Sequence, residues 1–383
     1  MSKNTLNFID VFAGAGGLSC GLEMAGLKCL LGVDHDKYAM ETFAKNHKYA
    51  QTYCGDIRKL TKKVLLEKLD GNPVHVVVGG PPCQGFSTVG LGNPDDMRNA
   101  LFLEFIRIVK TTQPYFVVVE NVTGLLAKKN EKTLQNIFKK FKTLGYDMDV
   151  QVMSSQNYGV PEKRRRTILI GTRVQTDINF PKLTHDTIIA KTFRNAVTVG
   201  DALENLATKN GITYNHDLEL AQLKSKIEKR RLARIPEGKG IRYEADEKKY
   251  FTPSLKLGVD WVNLRENRFR QTKYQRLDRN KPSPTIMTHR HSYFHPVEDR
   301  YLTQREAAAF QSFPNTFQFM GPLSAQWRQI GNAVPPLMAR AIGKTLVNMH
   351  KIYLNKRDSK SITKSNTKQK IRNVREKAFV YKK

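Results

Sequence analysis

Val74-His-Val-Val-Val-Gly-Gly-Pro-Pro-Cys83-Gln-Gly-Phe-Ser87 decides how the rest of the chain is read. Val74 to Val78 is a short β-branched run without polar alternation, the pattern of a strand covered on both faces of a parallel sheet. Gly79 and Gly80 permit a close approach of main chain, and Pro81 and Pro82 fix their φ angles, so the strand runs into a rigid turn that presents Cys83. Open α/β sheets keep their ligands just beyond the carboxyl ends of strands. Cys83 is therefore a candidate nucleophile; the competing reading is a small buried hydrophobe, the common role of a free cysteine. The turn alone does not separate the two.

Working outward, the same strand–turn–helix unit recurs. Asn7 to Phe12 reads as a strand ending in Phe12-Ala-Gly14-Ala-Gly16-Gly17, followed by a helix from Leu18 to about Ala25. Ser19 replaces the third glycine of a dinucleotide fingerprint and no P-loop lysine follows, which argues against a pyrophosphate ligand. A second strand, Cys29 to Val33, ends in Asp34, near the spacing at which an acid meets ribose hydroxyls; Cys54-Gly-Asp56-Ile57 puts another carboxylate at a third strand end. Together these fit an adenosine-containing ligand without a diphosphate, although either acid alone fits a helix cap. A loop from Thr88 to Asn99 and an amphipathic helix from Ala100 to about Lys110 follow Cys83. The strand Tyr115 to Val119 delivers Glu120-Asn-Val beside the cysteine turn if consecutive parallel strands are neighbours. A helix from Lys132 to Leu144 and a strand from Tyr146 to Met153 lead to Glu162-Lys-Arg164-Arg165-Arg166, where Arg164 and Arg166 project to one side of an extended segment and Arg165 to the other.

From about Arg173 the βα rhythm stops. Trp261, Arg265, Arg268, Phe269, Arg270, Lys273, Tyr274 and Arg276 interleave aromatic and cationic groups, a composition suited to phosphates and stacked bases, or to a solvated basic face. Thr303 and Glu306 form a capping box for a helix to about Phe313, and Gly331-Asn332-Ala333-Val-Pro335-Pro336 opens a last helix to about His350. The tail from Lys351 carries twelve Lys or Arg against Asp358 and Glu376 and reads as a flexible basic arm. Over 383 residues, 64 Lys and Arg against 35 Asp and Glu leave a charge of +29, which a polyanion would neutralise. No apolar run approaches the ~20 residues needed to span a bilayer, so a soluble intracellular protein without membrane contact is expected. Four cysteines, Cys20, Cys29, Cys54 and Cys83, form no Cys-x-x-Cys pair, and carboxylates are sparse around His289, His291 and His295, so no metal is expected.

As a set, in this order and spacing, the glycine turn after Phe12, Pro-Cys83, Glu120-Asn-Val, the segment through Arg164-Arg-Arg166, Arg305-Glu306 and Gly331-Asn-Ala-Val-Pro resemble the motifs of bacterial restriction-modification-type DNA cytosine carbon-5 methyltransferases. The resemblance implies an α/β, Rossmann-like S-adenosylmethionine-dependent methyltransferase with a mostly parallel sheet, plus a smaller irregular target-recognition domain. It implies that residues 1–173 and 322–350 form the catalytic and cofactor-binding domain, 174–285 the recognition domain, 286–321 a hinge and support segment, and 351–383 the tail. Cys83, Glu120, Arg164 and Arg166 would be catalytic. Phe12, Gly14, Gly16, Gly17, Asp34, His35, Asp56, Ile57, Pro81, Leu101, Asn332 and Ala333 would surround S-adenosyl-L-methionine, with His35 where the family often has tryptophan. Ser87 and Arg98 would meet DNA. Double-stranded DNA is the implied partner of a monomer, with a cognate restriction endonuclease left open. Two other readings stand beside this one: an RNA cytosine methyltransferase, whose tRNA-acting branch carries a Cys-Phe-Thr signature in its smaller domain where this chain has no cysteine after Cys83, and a non-catalytic DNA-binding regulator on the same fold.

Overall fold

The computed structural model describes residues 5–82, 97–186, 194–204 and 206–380, with the side chains of residues 97–99, 186 and 360–380 excepted. Its centre is a seven-stranded sheet. In chain order the elements are β1 (Asn7–Val11), α1 (Gly17–Met24), β2 (Lys28–Asp34), α2 (Lys37–Asn46), β3 (Gln51–Cys54), α3 (Lys62–Leu69), β4 (Val76–Gly79), α4 (Met97–Thr112), β5 (Phe116–Asn121), α5 (Glu131–Thr143), β6 (Asp147–Ser154), a two-residue β7 (Glu162–Lys163) and β8 (Arg165–Thr172). Across the sheet the order is β3-β2-β1-β4-β5-β8-β6. The first five strands are parallel, and β8 runs antiparallel to both β5 and β6. The order reverses at β1, between β2 and β4, so the carboxyl ends of β1 and β4 flank the crevice where such sheets bind ligands.

The uninterrupted apolar strands are explained by cover on both faces. Phe8, Val76, Val78, Phe116, Val118, Ile168 and Ile170 join one core with Leu18 and Leu22 of α1 and with Met338, Ile342 and Leu346. Their alternating neighbours Ile9, Val77, Val117, Val119 and Leu169 join the other, with Phe102 and Phe105 of α4 and Phe141 of α5. Glycine makes α1 fit its partner: a Cβ on Gly21 would lie 2.2 Å from the carbonyl oxygen of Pro336. A third core, including Phe310, Phe313, Phe317, Phe319 and Trp327, packs on Ala15 and Cys20 beside the first glycine turn.

Beyond β8 the chain builds small elements: an antiparallel pair, Ile241–Tyr243 with Arg268–Lys273, and a compact cluster of Ile235, Ile241, Phe251, Leu255 and Trp261. One expectation is corrected here. Trp261 and Arg276 are not offered to a nucleic acid. Trp261 is buried and donates its indole N–H to Glu247 at 2.9 Å, and Arg276 is buried against the carbonyls of Leu232, Ile235, His295 and Glu298 and the Asp299 carboxylate. Arg265, Arg270 and Lys273 of the same stretch are exposed. The helix that opens at Pro336 continues to Val380, through a stretch with neither glycine nor proline after Gly343 to stop it. Among the described residues no helix is long and apolar enough to cross a membrane.

Candidate active site

Close packing at the end of β4 dictates its glycines. A Cβ on Gly79 would lie 1.9 Å from the carbonyl oxygen of Val11, and one on Gly80 would lie 3.0 Å from Oε2 of Glu120. Asn121 then donates its side-chain amide to the carbonyl of buried Pro81 at 3.1 Å. The chain is thus pinned against the end of β5 two residues before Cys83. Cys83 and Ser87 lie outside the described residues, as does the side chain of Arg98 in the first turn of α4.

The antiparallel β5–β8 pairing brings the arginine segment to the same place. Nε of Arg166 sits 2.8 Å from Oε1 of Glu120, Arg164 is buried on the same side, and Arg165 is exposed. Burial pushes the Glu120 carboxyl above its usual range, against the pull of Arg166 and Arg164. Burial likewise lowers the pKa of Arg164, with the Glu162 carboxylate acting in the other direction. Arg164 donates through Nη2 to the carbonyl of Gly331 at 2.9 Å, while its Nε and Nη1 have no hydrogen-bond partner among the described residues, Nη1 lying 4.0 Å from the Glu162 carboxylate. A buried guanidinium with unfilled donors is costly unless something polar takes them.

The first glycine turn folds back on β2. Phe12 adopts a left-handed φ of 68°, and the amides of Phe12 and Ala13 both donate to the carbonyl of Val33 at 2.8 and 3.0 Å. Asp34 accepts the Gly14 amide at 2.8 Å on Oδ2 and the Asp36 amide at 2.9 Å on Oδ1, with Nδ1 of His35 at 3.3 Å. Burial alone would raise the Asp34 pKa, but the hydrogen bonds from His35 and the two amides outweigh it and hold the carboxyl below its ordinary value. The same contact with Asp34 raises the pKa of exposed His35. Asp56 is bridged by both oxygens to Arg58, whose hydrogen bonds lower it to about 2. Phe12, Tyr53 and Leu101 pack against the apolar cluster that contains Ile57 and Val33. Gly16, at φ 90°, precedes α1, and a Cβ on Gly17 would lie 3.1 Å from Cβ of Ala333, which brings the Asn332-Ala333 turn to the glycines. Asn332 itself is exposed.

These donors fit an adenosine-bearing sulfonium. The apolar group of Phe12, Tyr53, Leu101 and Ile57 suits a purine, and Oδ2 of Asp34, which accepts only the Gly14 amide, keeps a lone-pair direction for a hydroxyl. Sequence reasoning missed Asn121, Tyr53 and Glu162. Asn121 was legible inside Glu120-Asn-Val; Glu162 becomes visible only through its contacts. Among the described residues no group of three or more His, Cys, Asp or Glu is placed to hold a metal ion.

Sheet order, switch-point crevice and the carboxylate–arginine pair define a Rossmann-like methyltransferase. The family described as C-5 cytosine-specific DNA methylase matches residues 6–348, and this chain belongs to it. Type II methyltransferase M1.HphI of Haemophilus parahaemolyticus is 37% identical over 353 residues, covering 90% of this chain and 88% of that one. Type II methyltransferase M.Eco47II of Escherichia coli is 34% identical over 368 residues, covering 91% and 80%. Among solved structures, a prophage-encoded E. coli protein described as a candidate DNA modification methyltransferase superposes with a TM-score of 0.67 at 28% identity, covering 90% of this chain and 99% of that one. The enzyme class is DNA (cytosine-5-)-methyltransferase.

Proposed function

We propose that the protein methylates carbon 5 of one cytosine within a specific double-stranded DNA sequence, using S-adenosyl-L-methionine, after rotating the base out of the helix and adding Cys83 to carbon 6. The observation that carries this reading is the Glu120–Arg166 pair at 2.8 Å, at the strand end where Asn121 grips the carbonyl of Pro81. Carbon 5 of cytosine is too electron-poor to attack an electrophile until a nucleophile adds at carbon 6. The Cys83 thiolate makes that bond, and the unfilled donors of Arg164 favour its negative charge. The displaced electron pair moves toward N3, where Glu120, whose pKa burial raises, supplies the proton. Arg166 orients Glu120 and holds the ring oxygen at position 2. Loss of the carbon-5 proton then expels the sulfur and restores the ring.

Bound S-adenosyl-L-methionine supplies an electrophilic methyl group. Phe12, Ile57 and Leu101 would pack its adenine, Asp34 would accept from its ribose, and Asp56 would share its carboxylate with Arg58 and the adenine amino group. His35 would face the ring's second side, and Gly14, Gly16, Gly17, Pro81, Asn332 and Ala333 would line its methionine end. Extruding a base costs a few kcal/mol. We assign that task to the segment after Cys83, with Ser87 and Arg98 on the DNA backbone, and sequence readout to 174–285, where exposed arginines suit guanine in the major groove. Residues 286–321 would be the hinge and support. The names of its relatives support a place beside a restriction endonuclease of the same specificity.

Incubating the purified protein with plasmid DNA and S-adenosyl-L-methionine, followed by bisulfite sequencing, tests the reading. One sequence context should resist conversion at one cytosine. Complete conversion everywhere would instead favour a non-catalytic DNA-binding regulator.

A further inference from the structure

Arg164 stands where three distant parts of the chain meet. Its amide donates to Oγ of Ser155 at 2.9 Å, and its Nη2 donates to Gly331, a residue so close to 287–288 that a Cβ would lie 2.5 Å from the carbonyl carbon of Met287. The strand just before it, β7, pairs in parallel with Ser283–Pro284, where the chain returns from the small cluster around Trp261. That seam is stitched three ways: Ser283 N–H to the carbonyl of Pro161 at 2.9 Å, Thr285 hydroxyl to the carbonyl of Lys163 at 2.8 Å, and Ile286 N–H to Oε1 of Glu162 at 2.6 Å. Nη1 of Arg164 lies 4.0 Å from the same carboxylate oxygen.

Glu162 is completely buried, and its Oε2 has no partner among the described residues. Burial pushes its pKa up to about 7, opposed by Arg164, the Ile286 amide and Arg166. Tyr293, the other ionisable group facing it, donates to the carbonyl of Thr285 at 3.2 Å and is itself pushed up to about 12 by burial and by Glu162. Sealing a carboxyl from water is unfavourable unless its contacts compensate. Here one oxygen serves both the returning strand and the arginine.

We propose that Glu162 is a positioning residue: it ties the backbone of Ile286, at the exit of the recognition segment, to the guanidinium of Arg164, so that the arginine is correctly aimed only when that segment is seated. This rests on the methyltransferase reading above. Misplacing a charged group at a reacting centre by about 1 Å costs roughly 100-fold in rate.

The test uses the full chain and a duplex carrying the site found by bisulfite sequencing, with a single-mismatch duplex beside it. E162Q keeps the acceptor for Ile286 and should lose less than about fivefold in kcat, whereas E162L, which removes it, should lose roughly 30- to 100-fold with KM for S-adenosyl-L-methionine unchanged. The ratio of cognate to mismatch rates should also shrink in E162L. E162D keeps the charge but draws it back from Ile286 by one methylene, so it must behave like E162L; this comparison with E162Q carries the test should E162L not fold. Equal rates for E162L, E162D and wild type would overturn the proposal, as would an active E162D beside an inactive E162Q, because charge rather than reach would then matter. Absence of transfer by the wild-type protein would instead overturn the underlying reading.

Discussion

Arg164 and Arg276 are both almost wholly buried, yet they are used in opposite ways. Arg276 spreads its donors over four backbone carbonyls and a carboxylate and joins segments around residues 232, 235 and 295–299. Arg164 makes one side-chain hydrogen bond and leaves Nε and Nη1 without hydrogen-bond partners among the described residues, beside a carboxylate–arginine pair. A buried charge with every donor filled serves the fold, whereas one with open donors beside a carboxylate–arginine pair is the better candidate for chemistry.

The largest effect that can break this contrast lies at Cys83. Cys83→Ala should lower kcat by at least ~10⁴-fold in a methyl-transfer assay while leaving DNA affinity within a few fold; substantial turnover would remove the nucleophile from the account. Next is Glu120→Gln, expected to cost roughly 10²- to 10⁴-fold. The wild-type rate should fall as pH rises through the elevated pKa of Glu120, because the proton donor is then lost; a residual rate in E120Q with the same alkaline fall would assign that limb to another group. Arg276→Met should cost about 3 kcal/mol of stability, visible as a lowered Tm, because five acceptors lose their donor. Its kcat, measured where the protein stays folded, should not change, and a selective loss of rate would collapse the distinction between the two arginines.

The smallest effect concerns Asp10. It accepts the Ser19 hydroxyl at 2.6 Å, and burial raises it from 3.8 to about 7. Between those values the native protein holds a proton that the unfolded chain has released. The group's contribution is therefore complete below about pH 4 and is lost as pH rises to about 7. Asp10→Asn should flatten the dependence of Tm on pH across that window relative to wild type; an unaltered slope would mean that Asp10 is ionised in the fold.

How far the sequence revealed these features depends on whether the cause is local. The Val-Val-Val runs, Gly79-Gly80 and the alternation of Arg164, Arg165 and Arg166 could be read directly because strand period and glycine geometry act over a few residues. Arg276 could not: its acceptors at Leu232 and Ile235 lie 44 and 41 residues away, and nothing in a basic, aromatic stretch distinguishes an exposed arginine from a clamped one. Glu162 was hidden for the same reason, since Ile286 is 124 residues downstream. The helix in the tail was hidden for a different reason. Composition marked it as too polar for a core, but a run without glycine or proline can extend a helix that is already nucleated and packed upstream.

The most direct measurement is to trap the bond itself. A duplex with fluorine in place of the carbon-5 hydrogen of the target cytosine has no proton to lose after methyl transfer, so the sulfur cannot be expelled. With S-adenosyl-L-methionine present, the wild-type protein should form a denaturant-stable complex with that DNA, Cys83→Ala should form none, and peptide mapping should place the linkage at Cys83. Stable linkage through another residue, or efficient turnover with no linkage, would contradict the account.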